Sequence, residues 1–167
     1  MSELKVDKVS PRTGTYVSLN TVGSKNIIIN GDMSIAQRGT SATGLGNGDS
    51  GYHTVDRWIF TEFGAPTYEF TQTQDTDVPT GQGFATSLKM DCTTAQGSLS
   101  AGDAILIQQK IEGQNLQYLK KGTANAESVT MSFWVKSNKT GNYIVELRDT
   151  DNSRTINKSY TINSAST

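Results

Sequence analysis

The stretch NIIINGDMSIAQRGTS, residues 26–41, sets three isoleucines against Asn30-Gly31-Asp32, resumes an apolar pattern, and stops again at Arg38-Gly39-Thr40-Ser41. A short β-branched run closed by Asn-Gly reads as a strand entering a tight turn, with Gly31 taking the positive φ such turns need. Met33 and Ile35 then alternate with Ser34 and Ala36, which is the period of a strand. Strand, turn, strand is the predicted local structure, and it implies an all-β fold if the remainder of the chain agrees.

Composition agrees. The 167 residues suffice for one domain with a core of its own plus an appendage. Hydrophobic residues are only 34% of the chain while Gly numbers 16, a balance that suits short strands joined by many turns. Lys+Arg 15 against Asp+Glu 16, with a pI near 5.8, leaves no basic field for a phosphate backbone, so nucleic acid is not an expected partner. No run approaches the roughly 18–20 apolar residues of a membrane span, and MSELKVDKVS lacks the apolar centre of a signal peptide. A soluble protein made in the cytoplasm, without a membrane partner, is the expectation. The single cysteine, Cys92, has no internal disulfide partner, and its alternation with Leu88 and Met90 predicts a small buried hydrophobe.

Period-two runs recur along the chain. Val55–Phe60, Thr67–Thr71, Leu88–Cys92 and Ile105–Ile111 are candidate strands. The clearest is VTMSFWVK, residues 129–136, whose odd positions are all apolar. Tyr143–Arg148 and Arg154–Ile162 flank the turn signal Asp149-Thr150-Asp151-Asn152-Ser153 and predict a hairpin. Thr43–Gly51 reads as a loop, with four Gly and only Leu45 apolar. Gln114–Lys121 carries the one helical spacing, Leu116 to Leu119, with Gly122 placed as a C-cap. Residues 1–25 hold too few apolar side chains to build a core and need a partner. Many short strands with turn-rich connections predict a sandwich, with a jelly roll or Greek-key barrel as its form.

The motifs N-I-I-I-N-G-D-M, V-D-R-W, G-F-A-T-S-L-K-M, I-Q-Q-K-I-E-G and V-T-M-S-F-W-V-K-S follow one another in this order over residues 26–162. In that order they resemble the galactose-binding-like jelly rolls of carbohydrate-binding modules. More closely they resemble the version carried by tail-fibre and related virion structural proteins of marine bacteriophages, and LKVDKVSPRTGT is similar to segments that open phage fibre proteins. The resemblance implies a jelly-roll β-sandwich over residues 26–167, preceded by an attachment segment over residues 1–25. The family's jelly roll continues past the strand that corresponds to Arg154–Ile162, so an incomplete C-terminal end, and a longer polypeptide or neighbouring chains to complete it, are expected. NIIINGD would then be the first strand and turn, a structural signature without chemistry.

The resemblance further implies a virion location in the tail and a homotrimer whose partners are other tail or virion proteins. Leu4, Val6, Val9, Tyr16, Val17 and Leu19 would be buried on attachment, through strand pairing between chains. Modules of this fold often hold a structural calcium near the first turn, which implicates Asp32. The alternatives are a carbohydrate-binding module that recognises host surface glycan, and a capsid decoration protein.

No enzyme is expected. The only His, His53, lies in a Gly-rich loop and reads as a surface residue, and no nucleophile elbow, P-loop, H-E-x-x-H or C-x-x-C occurs. Asp56, Glu62, Glu69, Glu112 and Glu146 have no context that marks a catalytic pair, and Asp56-Arg57 reads as an ion pair. Asp149-x-Asp151-Asn152 lacks the Gly and distant Glu of a calcium loop and reads as a turn. Glycan recognition needs an exposed ring beside amides and carboxylates. Trp58, Trp134, Tyr52, Tyr68, Tyr118 and Tyr143 are the rings available. Trp58 reads as packed within its strand. Trp134 is out of phase with its apolar neighbours and faces away from them, so it is the better candidate, followed by Tyr52.

Overall fold

The computed structural model describes residues 26–64 and 66–166. The six attachment positions, from Leu4 to Leu19, lie outside the described residues. The all-β class holds: among the described residues seven strands form antiparallel ladders, with one 3-10 helix between β5 and β6. The chain divides into two compact units between Lys120 and Lys121.

In the first unit, β1 (Ser41–Leu45), β3 (Glu69–Asp75) and β4 (Ser87–Thr94) form one sheet in the order β1-β3-β4. A second sheet pairs β2 (Trp58–Phe63) with β5 (Ala104–Gln109), Phe60 opposite Ile107. β3 and β4 are thus neighbours in one sheet while β2 and β5 form the other, and Phe60 of β2 meets Phe70 of β3 with ring centroids 6.2 Å apart. Leu45, Val55, Phe60, Tyr68 and Leu119 are the buried apolar side chains. One polar pair shares that interior: Thr54 Oγ1 donates to Gln72 Oε1 at 2.8 Å, and the Gln72 amide reaches Met90 Sδ at 3.5 Å. A buried amide pairs in this way because leaving it dry and unpartnered costs about 1–3 kcal/mol.

Several expectations change. Residues 26–30 belong to no ladder, because side-chain amides hold the backbone that a neighbouring strand would have held. Gln109 Oε1 accepts the Ile29 N–H at 2.8 Å, and Gln109 Nε2 donates to the Ile29 carbonyl at 2.7 Å. The turn that follows takes its positive φ at Asn30 (54°) and Met33 (59°) rather than at Gly31, and Met33–Ala36 form no strand. Asn tolerates the left-handed region because its short amide bonds locally. Thr43–Gly51 is not simply a loop: β1 runs into it, and Gly46 and Asp49 exchange backbone bonds at 3.3 and 3.0 Å. Gly46 sits at φ 109°, where a Cβ would lie 2.5 Å from the Tyr68 carbonyl oxygen, so glycine is required.

The strand expected over Val55–Phe60 begins only at Trp58, since Arg57 turns the chain with φ 73°. Asp56 and Arg57 do not pair with each other. Asp56 meets Arg38 at 3.3 Å and Arg57 meets Glu112 at 3.2 Å, because the turn sends the two side chains apart. The helical segment is a 3-10 helix, Gly113–Leu119, ended by Lys120 at φ 51°, two residues before the expected Gly122. Cys92 shares a side of the sheet with Met90, as the alternation required, yet it is exposed: among the described residues nothing covers that end of β4.

The second unit contains β6 (Gly141–Asp149) and β7 (Arg154–Ile162), the expected hairpin, in register from Gly141↔Ile162 to Asp149↔Arg154. Its turn is built by Asp149, whose carboxylate accepts from the Asn152 side chain at 2.7 Å and from the Asp151 N–H at 3.1 Å. That is an Asx-type turn, the reading preferred over a calcium loop. Residues 129–136 belong to no ladder among the described residues. Alternation predicts a strand only where one side is covered, and here Val129, Met131, Phe133 and Val135 are 42%, 44%, 47% and 51% exposed.

Three depressed carboxylates make stability acid-sensitive. Asp75 lies below the usual range chiefly because the Asp77 and Thr76 N–H groups bond it, with Lys89 adding to the effect. Asp149 is lowered first by the Asn152 side chain, and Glu112 first by its own N–H and then by Arg57. Each prefers its charged form in the folded chain, so its stabilisation is present above the ordinary carboxylate value and is lost as pH falls through the lower, folded value. Urea midpoints measured across the acid range are expected to hold at neutral pH and to fall below the ordinary carboxylate range. Asp75→Asn should show a shallower fall, and an unchanged slope would show that Asp75 is not among the groups responsible.

Candidate functional site

Two of the motifs that carried the resemblance, N-I-I-I-N-G-D-M and V-D-R-W, meet at Asn30. Its Nδ2 donates to the carbonyls of Ile35 and Asp56, both at 2.9 Å, and its Oδ1 accepts the Ile35 N–H at 3.0 Å. The Asn30 carbonyl in turn accepts from Trp58 Nε1 at 3.0 Å. Asn30 of the N-G-D turn therefore bolts the turn to both Asp56 and Trp58 of V-D-R-W. Nearby, Gln74 Nε2 donates to the carbonyls of Met33 and Ser34, and Thr86 Oγ1 to the carbonyl of Asp32. This constellation fixes backbone and presents no reactive group.

Asp32 is exposed, and no group of three or more His, Cys, Asp or Glu side chains able to hold a metal comes together among the described residues. His53 is not the plain surface residue expected. It is half-buried against the edge of Phe60, with ring centroids 6.4 Å apart, and its Nε2 is buried without a hydrogen-bond partner. Tight packing beside the core ring, rather than loop composition, sets its surroundings.

The two predicted glycan rings are both accessible, and they lie in different units. Tyr52 is 40% exposed, with the Arg38 guanidinium carbon 5.6 Å from its ring centroid. Arg38 is itself held by Asp56 at 3.3 Å, so an exposed ring and cation adjoin a largely covered carboxylate. Trp134 is 63% exposed, but its apolar neighbours are exposed as well, so it does not stand apart from them as the alternation implied. Trp58 is packed as expected, half-buried and hydrogen-bonded through its indole N–H.

Two hollows were not legible in the sequence. One, of about 270 Å³, is lined by Asn47, Gly48, Glu62, Gly64 and Pro66. Glu62 Oε1 accepts the Gly48 N–H there while Oε2 is buried and unpartnered. Burial pushes the neighbouring Tyr68 phenol above its ordinary value, and the charges of Glu62 and Asp103 push it further. The other, of about 220 Å³, is lined by Asn26, Ile27, Ile29, Ile111, Asn115 and Tyr118. The first is lined from within residues 47–66 and the second joins residues 26–29 to 111–118, and no local motif announces either one.

The chain matches no protein-family model, no curated protein and no solved structure.

Proposed function

We propose that this chain is a structural component of a bacteriophage virion, a tail-fibre module that associates with copies of itself and with other virion proteins. The observation that carries the reading is the imbalance between interior and surface. Among the described residues the buried apolar core is formed by Leu45, Val55, Phe60, Tyr68 and Leu119, whereas Ile29, Phe63, Phe133, Trp134, Leu147 and Ile156 are among the large apolar groups left exposed. Such surface suits a protein whose apolar faces are covered in an assembly. The ordered series of motifs over residues 26–162 supplies the virion context, and a jelly roll trimerised along a fibre is the form proposed.

Host-glycan binding is a second reading, favoured by one observation: the exposed Tyr52 ring beside Arg38 and Asp56 offers an apolar face next to hydroxyl-binding groups. Light scattering of the purified chain tests self-association. A mass near three times 18.0 kDa is the expected result, and a stable monomer at micromolar concentration would overturn it. Electron cryomicroscopy of the virion tests placement, and density on the capsid lattice would replace the fibre with a decoration protein. If glycan is bound through the first unit, Tyr52→Ala abolishes retention of the chain on host surface polysaccharide. Unchanged retention would remove Tyr52 from that role.

A further inference from the structure

The chain contains two Asn-Gly pairs, Asn30-Gly31 and Asn47-Gly48, and the fold holds them very differently. Such a pair is open to loss of the side-chain amide, because glycine neither shields its own backbone nitrogen nor restricts the rotation that brings it to the asparagine Cγ. At Asn30 the whole side-chain amide is engaged. Its Nδ2 donates to the Ile35 and Asp56 carbonyls at 2.9 Å, and its Oδ1 accepts the Ile35 N–H at 3.0 Å. Attack at the Asn30 Cγ requires these bonds to break first.

Asn47 is exposed, and among the described residues its side-chain amide has no hydrogen-bond partner. With Gly48 it forms the centre of a two-residue turn closed by Gly46 and Asp49, whose backbone bonds are 3.3 and 3.0 Å. Asn47 at φ 52° and Gly48 at φ 97° both take positive values, the I′ form that favours Asn-Gly. In that form ψ of the first central residue is about 30°, which turns the Gly48 nitrogen away from the Asn47 Cγ. Ring closure at Asn47 therefore needs a local opening of the turn. Apart from its chain neighbours, nothing lies within 4 Å of where a Gly48 Cβ would be, so the approach is open. One side chain opposes the opening: the Gly48 N–H donates to Glu62 Oε1.

We infer that Asn47 is a site of spontaneous deamidation, that Asn30 is protected from it, and that Glu62 restrains it at Asn47. When the turn opens, the Gly48 N–H gives its proton to solvent base and the nitrogen attacks the Asn47 Cγ. The new C–N bond closes a five-membered succinimide, and the side-chain nitrogen takes up a proton and leaves as ammonia. Water then opens the ring at either carbonyl and leaves aspartate or isoaspartate at position 47. One water is consumed and one ammonia released, with no change of oxidation state. Glu62 slows the reaction twice over, since its hydrogen bond keeps the turn closed and its charge disfavours the anionic nitrogen that must form. The product sets a second carboxylate on the wall of the hollow that Asn47 and Glu62 already line. None of this chemistry depends on the virion reading.

Peptide mapping by mass spectrometry, after the full chain is held in mildly alkaline buffer with and without urea, tests the assignment. In the native chain Asn47 is expected to convert about tenfold or more faster than Asn30, whose amide must first break its hydrogen bonds. In urea the two pairs should convert at nearly equal rates. Glu62→Gln, which removes the charge, should speed conversion at Asn47 several-fold and leave Asn30 unchanged. The comparison in the unaltered chain stands whether or not that variant folds. Native conversion at Asn30 as fast as at Asn47, or none at Asn47 while both pairs react in urea, would overturn the site. The same preference for Asn47 in urea would show that the fold does not set it. An unchanged rate in Glu62→Gln would remove the restraint, and a slower one would make the carboxylate the base that takes the Gly48 proton.

Discussion

Asn30→Ala is expected to destabilise the first unit by about 2–4 kcal/mol, since it strands three backbone groups that one amide now satisfies. The Ile35 N–H and the carbonyls of Ile35 and Asp56 would all lose their partner. Alanine is also disfavoured at φ 54°, where asparagine now sits. Two further variants separate these costs. Asn30→Gly removes the conformational penalty and keeps the loss of hydrogen bonds, so it should recover only a minor part. Asn30→Asp keeps the acceptor for Ile35 but turns a carboxylate oxygen toward the Ile35 and Asp56 carbonyls, so it should recover no more than alanine. Urea unfolding followed by the fluorescence of Trp58, whose indole bonds the Asn30 carbonyl at 3.0 Å, reads the effect locally. A loss below about 0.5 kcal/mol, the range of an ordinary surface substitution, would show that Asn30 does not hold the turn to V-D-R-W.

Phe60→Ala should cost about 3–5 kcal/mol, the usual range for removing a fully buried aromatic ring. Phe60 is 0% exposed, and its ring contacts His53 from one direction and Phe70 from another. Because the two sheets of the first unit meet through Phe60 and Phe70, the variant is expected to loosen sheet-to-sheet packing. Phe60→Leu keeps most of the volume and should cost far less, on the order of 1 kcal/mol. Thermal unfolding monitored by near-ultraviolet circular dichroism distinguishes the two. Equal losses for leucine and alanine would mean that ring contacts, rather than filled volume, carry the stability.

The comparison of sequence with structure turns on what supplies a backbone partner. The β6–β7 hairpin was legible because its turn chemistry and alternation are local, and the Asp149 turn forms as those residues dictate. β4 and β5 were legible from the same alternation, with starts within one residue, whereas the expected ends at Cys92 and Ile111 each miss the observed Thr94 and Gln109 by two. Residues 27–29 misled because their partner is the side chain of Gln109, about eighty positions away, and a β-branched run says nothing of that substitution. Residues 129–136 misled in the opposite way: the pattern is right for a strand, yet the segment joins no ladder among the described residues. Hydrophobic alternation reports a capacity to be covered, whereas exposure reports whether covering has occurred. The same difference explains Cys92, placed on the correct side of β4 and left accessible. At the site level Tyr52 and Trp134 were identified as rings. The Arg38 contact on Tyr52, and the hollows at Glu62 and at Tyr118, arise from tertiary proximity that no spacing encodes.

Cys92 has a practical side. The chain carries Cys 1, and its thiol is exposed, bonded only weakly to the Thr94 carbonyl at 3.5 Å. Two chains in an oxidising buffer can therefore join sulfur to sulfur and mimic an assembled species, so a mass measured without reductant conflates a covalent pair with genuine association. The same thiol is a ready-made single point of conjugation, where one fluorophore or heavy-atom label can be attached per chain without altering any other residue.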